Sequence, residues 1–390
     1  MARSTGIMAF LRTSAPQDGQ VVNSPASSTG PAAMAASLSV AGRYAPGPVA
    51  SLLRRALGRL AARSPRGRRL LQRVDAGLRA AIDDADDGLY GGGYFGAGRD
   101  ALDRMGLSGY ERYDRGTSNA DVAAYLVWKH LGGPRALDVG CAMGFVVEAL
   151  QEVGVDALGV DVSAYAVAHA APGARGRLRQ GSLTERLPFP DGSFDVVTVL
   201  ETLEHLPPEA VPAAVAELRR VCRGQVVATI PSFGPNQAGP GGWFQVKVRD
   251  DRVAYYESLG PEYEGPIPHI DIYRDVGGNP IEGHLTMASF SWWTKRFEEA
   301  GFVRSVETER RLYRDVERFG LLIYWNLYVF HLPGMEPAAG PVRSATEVAG
   351  LERRWGLDER ASAVAARPRR PEEETAAAAL AAAVASAESP

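Results

Sequence analysis

Short runs of β-branched and aliphatic residues alternate with longer segments of helical apolar spacing between about residues 90 and 333. This alternation is typical of an α/β fold in which helices cover both faces of a mostly parallel sheet. Seven strands are predicted, at residues 136–139, 157–160, 177–180, 195–200, 226–230, 303–308 and 322–330. No helix is predicted between the last two, so they should form a closing antiparallel hairpin.

Outside this region the apolar pattern weakens. Residues 1–50 are rich in Ser, Ala, Gly and Pro and are predicted to be disordered. The α/β domain is assigned to residues 88–335, with a long insertion at 232–283. Residues 336–390 lose aromatic residues and gain Ala, Pro and Glu, which predicts a solvated tail with some transient helix.

Residues 51–87 are predicted to form a basic amphipathic helical arm, because apolar residues recur there at helical spacing with seven of the segment's nine Arg between them. Pro65 and Gly67 divide it into two helices. Two interpretations stay open. The arm, through residues 51–79, makes a weak membrane-surface or polyphosphate contact, or it packs as a helical hairpin on the rest of the protein.

Composition narrows the class of protein. With 45% hydrophobic and 23% charged residues, the 390-residue chain has ample material for a core, which excludes a fibrous or disulfide-scaffold protein. The net charge of −3 is unevenly distributed along the chain. Residues 1–80 contain twelve Arg and only two acidic residues, Asp18 and Asp75, so their charge is +10 and that of residues 81–390 is −13. An acidic body gives no reason to expect a nucleic-acid partner.

The small number of cysteines and the short length of the longest apolar run predict in which cellular compartment the protein lies. Cys141 and Cys222 are the only cysteines and neither lies in a zinc motif, so a reducing, cytoplasmic environment is expected. The longest apolar run, at residues 321–332, falls short of the ~20 residues that a membrane span needs.

The first predicted strand runs into small residues and then a helix, in the series Asp138-Val-Gly140-Cys141-Ala142-Met-Gly144-Phe145. Small residues let the backbone approach a ligand, and the helix N-terminus offers free N–H groups. Such turns also occur in NAD-binding and flavin domains, so this signal alone leaves several cofactors open.

Three later positions narrow the choice. Asp161, 21 residues after Gly140, ends the second strand, where a carboxylate can accept both ribose hydroxyls of an adenosine cofactor; the alternative is a helix-capping acid. Gly181-Ser182-Leu183 follows the third strand, where an adenine would lie. A turn at residues 187–197 leads into the fourth strand, which ends in Glu201-Thr-Leu-Glu204-His205-Leu206.

Together these motifs resemble class I S-adenosylmethionine-dependent methyltransferases over about residues 88–332. The resemblance implies a Rossmann-like seven-stranded sheet of order 3-2-1-4-5-7-6 with strand 7 antiparallel. It implies S-adenosylmethionine as cofactor and a set of contacts to it. Asp138, Gly140, Cys141, Ala142 and Gly144 would lie at the methionine end, Asp161 and Val162 at the ribose, Ser182 and Leu183 at the adenine, and Glu201 near the sulfonium. Ala142 stands where the family usually has Gly. Tyr113, ahead of the first strand, is a further expected contact.

A hydroxyl acceptor must lose a proton during methyl transfer, so a general base is sought. The candidates are His205, His269, Asp271 and His284, although each His can equally be structural. No metal is predicted; a site built from His269, Asp271, Glu282 and His284 is the open alternative.

The insertion at 232–283 carries seven Phe, Trp and Tyr residues, which argue against disorder. It is interpreted as a substrate lid whose rings could stack on a sugar or aromatic acceptor. The alternative is a small subdomain or dimer contact.

The expected function is O-methylation of a small-molecule acceptor, such as a sugar or specialised metabolite. N- or C-methylation, an RNA methyltransferase that uses the basic arm, and a non-catalytic scaffold remain alternatives. An NAD-dependent oxidoreductase is weaker, because residues 140–144 lack the G-x-G-x-x-G order.

Overall fold

A computed structural model describes residues 90–91, 94–95, 110, 112–244, 246–273, 283–321, 326–335 and 343–369, with isolated positions at 374, 378 and 381. The predictions for residues 1–50 and 51–87 therefore lie outside the described residues. Within the described ranges, no helix is both long enough and apolar enough to cross a membrane.

A seven-stranded sheet forms the centre of the molecule. Its strands are β1 (Arg135–Val139), β2 (Asp156–Asp161), β3 (Leu178–Gln180), β4 (Phe194–Leu200), β5 (Cys222–Thr229), β9 (Val303–Arg304) and β10 (Leu327–His331). Their order is β3-β2-β1-β4-β5-β10-β9. The first five pair in parallel, whereas β10 is antiparallel to both β5 and β9. This confirms the predicted order and the antiparallel last strand.

Helices cover both faces of this sheet. They are α1 (Ala120–Leu126, continued by a π-helical turn at Val127–Leu131), α2 (Phe145–Glu152), α3 (Ala164–Ala168), α4 (Val211–Val221), α6 (Phe290–Glu299) and α7 (Val306–Arg318). One apolar core joins the sheet to α1, α2 and α7, and a second joins the opposite face to α4 and α6. Because helices cover the parallel strands on both faces, the side chains on both faces of these strands are apolar.

The expected hairpin between the last two strands is wrong, because α7 lies between them. Eight of the thirteen residues of α7 are charged, so its apolar stripe of Leu312, Tyr313 and Val316 is difficult to recognise in the sequence. A buried ion pair fixes the helix to both strands: Arg304 of β9 holds Glu309, which also accepts the Val329 N–H of β10.

The described part of the insertion forms a small unit together with residues 287–289, which follow it. Three short strands, β6 (Ser232–Gly234), β7 (Gly242–Phe244) and β8 (Ala288–Ser289), make a second sheet of order β7-β6-β8, and α5 (Asp250–Ser258) follows β7. Phe233, Tyr256, Ile267 and Met287 belong to a separate apolar cluster beside this sheet.

The expectation of a solvated C-terminal tail fails for residues 344–366. They form α8 (Ala345–Arg354) and α9 (Leu357–Ala366), and a capping box of Ser344 and Glu347 starts the first of them. Leu351 and Leu357 are buried in the core beside α1 and α7. Glu352 binds Tyr125 and Arg318, so the segment is tied to the domain by polar contacts as well.

Candidate functional site

A cleft of about 330 Å³ opens at the carboxyl ends of β1, β2 and β4. In open α/β sheets this edge is where ligands bind, beside the point where the strand order reverses. The residues that line it come mainly from the turns after β1, β2, β3 and β4 and from the segment before α1.

The floor of the cleft is the turn between β1 and α2. Gly140 has a φ of 73°, and a Cβ there would lie 2.2 Å from Thr202 Oγ1, so only glycine fits against the end of β4. Ala142 adopts a φ of 47°, a left-handed conformation that costs a residue with a side chain about 1 to 2 kcal/mol. The backbone is thus held in an open turn that faces the cleft.

Asp161 ends β2 and closes one side of this turn. Its side chain is buried, and its Oδ2 accepts a hydrogen bond of 2.7 Å from the Ala142 N–H while Oδ1 accepts one of 2.8 Å from the Ser163 N–H. Ser163, rather than Asp161, caps α3 by accepting from the Ala166 N–H. The carboxylate therefore fixes the floor and lines the cleft without serving as the helix cap.

Asp138 is the second buried carboxyl group of the cleft. Its Oδ1 accepts a 2.6 Å hydrogen bond from the Thr198 hydroxyl. Burial raises the pKa of Asp138 to about 7, although the Thr198 hydrogen bond opposes this, and the charge of Asp161 raises the pKa further. The group can therefore exchange its proton near neutral pH.

A wall of aromatic rings faces this floor. Tyr90, Tyr94, Phe95, Tyr110 and Tyr113 all line the cleft, and neighbouring pairs meet edge to face at centroid distances of 4.7–5.5 Å. Burial raises the pKa of Tyr113 well above its ordinary value, so its hydroxyl stays protonated. The wall offers an apolar, hydrogen-bonding surface opposite the carboxylates.

Two histidines and a glutamate meet at the other end of the cleft. Glu204 and His205 lie in a 3₁₀ turn, Leu203–His205, after β4, whereas His284 lies shortly before β8. The His205 and His284 rings meet at a centroid distance of 5.1 Å, and His284 Nε2 lies 4.0 Å from Glu204 Oε1. Burial lowers the pKa of His284 well below its ordinary value, and the charges of His205 and Lys247 add to this, so its imidazole is neutral at physiological pH.

Comparison with known proteins identifies the family to which the sheet and its cleft belong. A family model described as a methyltransferase domain matches residues 137–228, which run from β1 into β5. The chain contains a class I S-adenosylmethionine-dependent methyltransferase domain.

Curated relatives resemble the methyltransferase domain over part of their length. A ubiquinone biosynthesis O-methyltransferase of Methylococcus capsulatus is 41% identical over 96 residues, 23% of this chain and 40% of the relative. One of the same name from Burkholderia vietnamiensis is 32% identical over 145 residues, 34% of this chain and 53% of the relative. The chain thus spans about half the length of the curated relatives it matches.

Solved structures are more distant. A magnesium protoporphyrin IX methyltransferase from Synechocystis, with bound SAH, is 16% identical with a TM-score of 0.35, over 62% of this chain and 96% of that one. An S-adenosylmethionine-dependent methyltransferase from Archaeoglobus fulgidus is 17% identical with a TM-score of 0.34, over 56% of this chain and 93% of that one. The fold assignment therefore rests on the strand order and on the matched domain.

The methyltransferase domain brings nearly all of the expected cofactor contacts to one cleft. Those that line it are Asp138, Gly140, Cys141, Ala142, Asp161, Val162, Ser182, Leu183, Glu201 and Tyr113. Gly144 does not line it. It precedes α2 in a left-handed conformation, where a Cβ would lie 2.8 Å from Ala174 and 2.9 Å from Leu178, so the fold requires glycine there.

The expected catalytic residues separate into two groups. His205 lines the cleft and His284 packs against it, whereas His269 is exposed and Asp271 binds Tyr256 and Arg252 within the insertion. Tyr256 holds the pKa of Asp271 below its ordinary value. Among the described residues the group that could hold a metal is Glu204, His205 and His284, so His269 and Asp271 do not join His284 in a site; Glu282 lies outside the described residues.

Sequence reasoning missed part of the site. Tyr90, Phe95 and Thr202 line the cleft, and the segment Tyr90-Gly-Gly-Gly-Tyr94-Phe95 could have signalled an aromatic wall. The expected lid is not seen: none of the described residues of the insertion lines the cleft.

Proposed function

We propose that this protein transfers the methyl group of S-adenosylmethionine to an oxygen of a small molecule. The observation that carries the proposal is Asp161, a buried carboxylate at the tip of β2 that lines the cleft and holds the Gly140–Ala142 turn. A carboxylate at this place suits the two ribose hydroxyls of an adenosine cofactor.

The residues of the cleft fit the rest of such a cofactor. The Gly140 turn lets the backbone approach the methionine end, where Asp138 offers a carboxyl group to the ammonium. Leu183 and Leu187 give an apolar place for the adenine beside β3. Tyr113 and its aromatic neighbours would exclude water from the sulfonium end.

The cofactor supplies an activated methyl group on a sulfonium, so the protein has mainly to align the acceptor with it. Positioning of this kind can contribute on the order of 7 to 11 kcal/mol to lowering the barrier. An acceptor hydroxyl must also be activated for proton loss, and His205 is the imidazole that lines the cleft.

An oxygen acceptor is favoured because the curated relatives carry the name O-methyltransferase. The acceptor class proposed is a hydroxylated small molecule, such as a sugar or specialised metabolite, methylated in the cytoplasm. The cleft volume of about 330 Å³ lies in the range typical of small-molecule and cofactor sites.

Calorimetric titration with S-adenosylmethionine, S-adenosylhomocysteine and NAD tests the cofactor assignment. We expect the first two to bind and NAD not to bind. In Asp161→Asn the affinity for both should fall about tenfold to a hundredfold, because a hydrogen bond to a charged group contributes about 1.5 to 3 kcal/mol.

The matched control is Asp156→Asn. Asp156 begins the same strand, but its side chain is 53% exposed and pairs with Arg177 on the surface. This variant should keep the wild-type affinity. Binding of NAD without S-adenosylmethionine, or an unchanged affinity in Asp161→Asn, would overturn the assignment.

A further inference from the structure

One wall of the cleft is a short segment, residues 113–119, that precedes α1. The residues of this segment that line the cleft are Tyr113, Thr117, Ser118 and Asn119. Asp114 closes its turn by accepting hydrogen bonds from the Gly116 and Thr117 N–H groups, both at 2.9 Å. Asn119 ends the segment with a φ of 52°, in the left-handed region that residues with a side chain keep only when neighbouring contacts hold them there. The shape of the wall therefore depends on the contacts that support it.

Arg115 supports the segment from outside the cleft. Its Nε donates to Asp121 of α1 at 2.7 Å, and its two terminal nitrogens bind the two carboxylate oxygens of Glu152 at the end of α2. A guanidinium and a carboxylate that are joined by two hydrogen bonds form a pair of defined geometry. Arg115 thus ties the wall to two helices of the sheet's cover.

The C-terminal helical pair, α8 with α9, reaches this ion pair. Trp355, which lies between the two helices, donates from its indole N–H to Glu152 Oε2 at 2.9 Å. The Arg115 guanidinium lies 5.6 Å from the centroid of the Trp355 ring, within the range of a cation–π contact. Trp355 therefore contacts both members of the Arg115–Glu152 pair.

A second contact goes directly to a residue of the wall. Arg360 of α9 donates from Nη1 to the side-chain oxygen of Asn119 at 3.2 Å and from Nε to the Phe319 carbonyl at 2.8 Å. Two bonds from one planar guanidinium fix its orientation towards Asn119. No described residue of α8 or α9 lines the cleft. The helical pair therefore acts on a bound cofactor through the wall and does not touch the cofactor itself.

The helical pair has its own attachment to the domain. Leu351 and Leu357 are buried in the core, and Glu352 binds Tyr125 of α1 and Arg318. A segment that is fixed in this way can support a neighbouring site. Loss of one polar contact at Trp355 or Arg360 should loosen the wall and leave the helical pair folded.

We propose that Trp355 and Arg360 are positioning residues for S-adenosylmethionine. They hold residues 113–119 in the conformation that closes the cleft around the cofactor. The inference rests on the proposed cofactor site and does not depend on which acceptor is methylated. Coupling between two sites is reciprocal, so the bound cofactor in turn stabilises the docked helical pair.

Calorimetric titration of the full-length protein with S-adenosylmethionine tests the proposal. Arg360→Met removes both donors and keeps a long side chain, whereas Trp355→Phe removes the indole N–H and keeps a ring. Each should raise the Kd about threefold to tenfold, the range expected for the net loss of one hydrogen bond. Arg360→Lys, which keeps the charge and a donor, should recover part of the affinity.

A double-mutant cycle distinguishes positioning from a merely structural role. Asn119→Gly keeps a backbone that favours the left-handed conformation and removes the side-chain oxygen that Arg360 binds. If Arg360 acts through Asn119, Arg360→Met should add no further loss of affinity in the Asn119→Gly background. Losses that multiply in the double variant would overturn the assignment of Arg360.

Hydrogen exchange of the backbone amides provides a second readout. In the wild type, saturating S-adenosylmethionine should slow amide exchange in α9, although no described residue of that helix lines the cleft. In Arg360→Met the cofactor should no longer slow this exchange. Exchange in α9 that does not respond to the cofactor in the wild type would overturn the proposed coupling.

Arg353→Met is the matched control, because Arg353 is an exposed arginine of α8 outside these contacts. It should bind S-adenosylmethionine like the wild type. Circular dichroism and urea unfolding establish the fold and stability of each variant. Lower stability with an unchanged Kd in both Arg360→Met and Trp355→Phe would overturn the positioning role and leave the cofactor assignment intact, whereas absence of binding by the wild type would overturn both.

Discussion

The cofactor end of the cleft, around Asp138 and Asp161, and the opposite end around Glu204, His205 and His284, here called the acceptor end, are assembled in different ways. At the cofactor end, the two carboxylates lie at the ends of β1 and β2 and the small residues follow β1 directly. Asp161 accepts a hydrogen bond from the Ala142 N–H, 19 positions earlier. At the acceptor end, contacts such as that between Thr286 and Leu206 join segments 80 positions apart. The contact between Asp161 and the turn after β1 is thus short-range, whereas the acceptor end depends on contacts between segments that are distant in the sequence.

This difference predicts that the two ends can be disturbed independently. Residues of the β1 turn should control the stability of the sheet and cofactor affinity together, because the turn packs on β4. Residues of the insertion should affect their own apolar cluster and leave the cofactor end unchanged. The following substitutions test that separation, from the largest expected effect to the smallest.

Gly140→Ala should have the largest effect. The new Cβ would lie 2.2 Å from Thr202 Oγ1, and alanine would be forced into a left-handed conformation. Overpacking and strain together should lower the free energy of unfolding by about 2 to 5 kcal/mol and abolish cofactor binding. Urea unfolding and calorimetry measure both quantities.

Gly154→Ala is the control that separates the cost of backbone strain from the cost of the clash with Thr202 in Gly140→Ala. Gly154 also has a positive φ, of 81°, but a Cβ there meets nothing within 4 Å. It should cost only about 1 to 2 kcal/mol and leave cofactor affinity intact. Equal losses in the two variants would show that the contact with Thr202 does not matter.

Asp138→Asn should change the pH dependence of stability. The folded protein keeps the Asp138 proton up to about pH 7, whereas the unfolded chain releases it near the ordinary pKa of 3.8. The folded state therefore binds more protons between these values, and the free energy of unfolding falls as the pH rises through them. From pH 5 to pH 8 the wild type should lose on the order of 2 kcal/mol more than the variant.

Urea unfolding at both pH values measures that difference. Asp156→Asn, which removes an exposed acid from β2, should retain the wild-type slope. If Asp138→Asn and the wild type lose stability in parallel, Asp138 does not carry a raised pKa.

Asp271→Asn tests the insertion. Asp271 accepts a 2.5 Å hydrogen bond from the Tyr256 hydroxyl and a 3.1 Å bond from Arg252. Loss of the charge should lower stability by about 1 to 2 kcal/mol at neutral pH. Because these bonds lower the pKa of Asp271, the stabilisation is present above pH 3.8 and is lost as the pH falls below it.

The affinity for S-adenosylmethionine should not change in Asp271→Asn. The control is Asp251→Asn, an exposed acid on the same unit that pairs with Arg249. It should alter neither quantity. A tenfold loss of cofactor affinity in Asp271→Asn would mean that the insertion and the cofactor end of the cleft are coupled.

The same contrast explains which parts could be predicted from the sequence. The positions of the first five strands and the residues around Asp161 follow from short-range patterns, because each turn lies next to the strand that positions it. The order of the strands in the sheet was implied by the resemblance to class I methyltransferases, not by those patterns. The α7 helix was missed because charged residues dilute its apolar stripe. The proximity of Glu204 and His284 could not be predicted from the sequence, because only long-range packing places these two residues side by side.

The C-terminal helices are an intermediate case. The series Ser344-Ala-Thr-Glu347 is a capping-box pattern, so the start of α8 was visible in the sequence. What the Ala-rich composition hid was that Leu351 and Leu357 pack into the domain core. A few long-range apolar contacts were enough to order a segment whose average composition suggests a solvated tail.

The smallest expected effect concerns Ala142, the position where glycine was expected. Its φ of 47° costs about 1 to 2 kcal/mol, so a glycine at this position should relieve strain. Two effects oppose this gain: the greater freedom of glycine in the unfolded chain lowers the free energy of unfolding by about 0.5 to 1 kcal/mol, and a buried methyl group is lost. The net gain in stability for Ala142→Gly should be below 1 kcal/mol. Ala166→Gly, in the same apolar cluster but inside α3, loses a methyl group without any relief and should be destabilised by about 1 to 2 kcal/mol. The difference between the two variants measures the strain stored in the cofactor turn, and equal losses in both would show that the turn is unstrained.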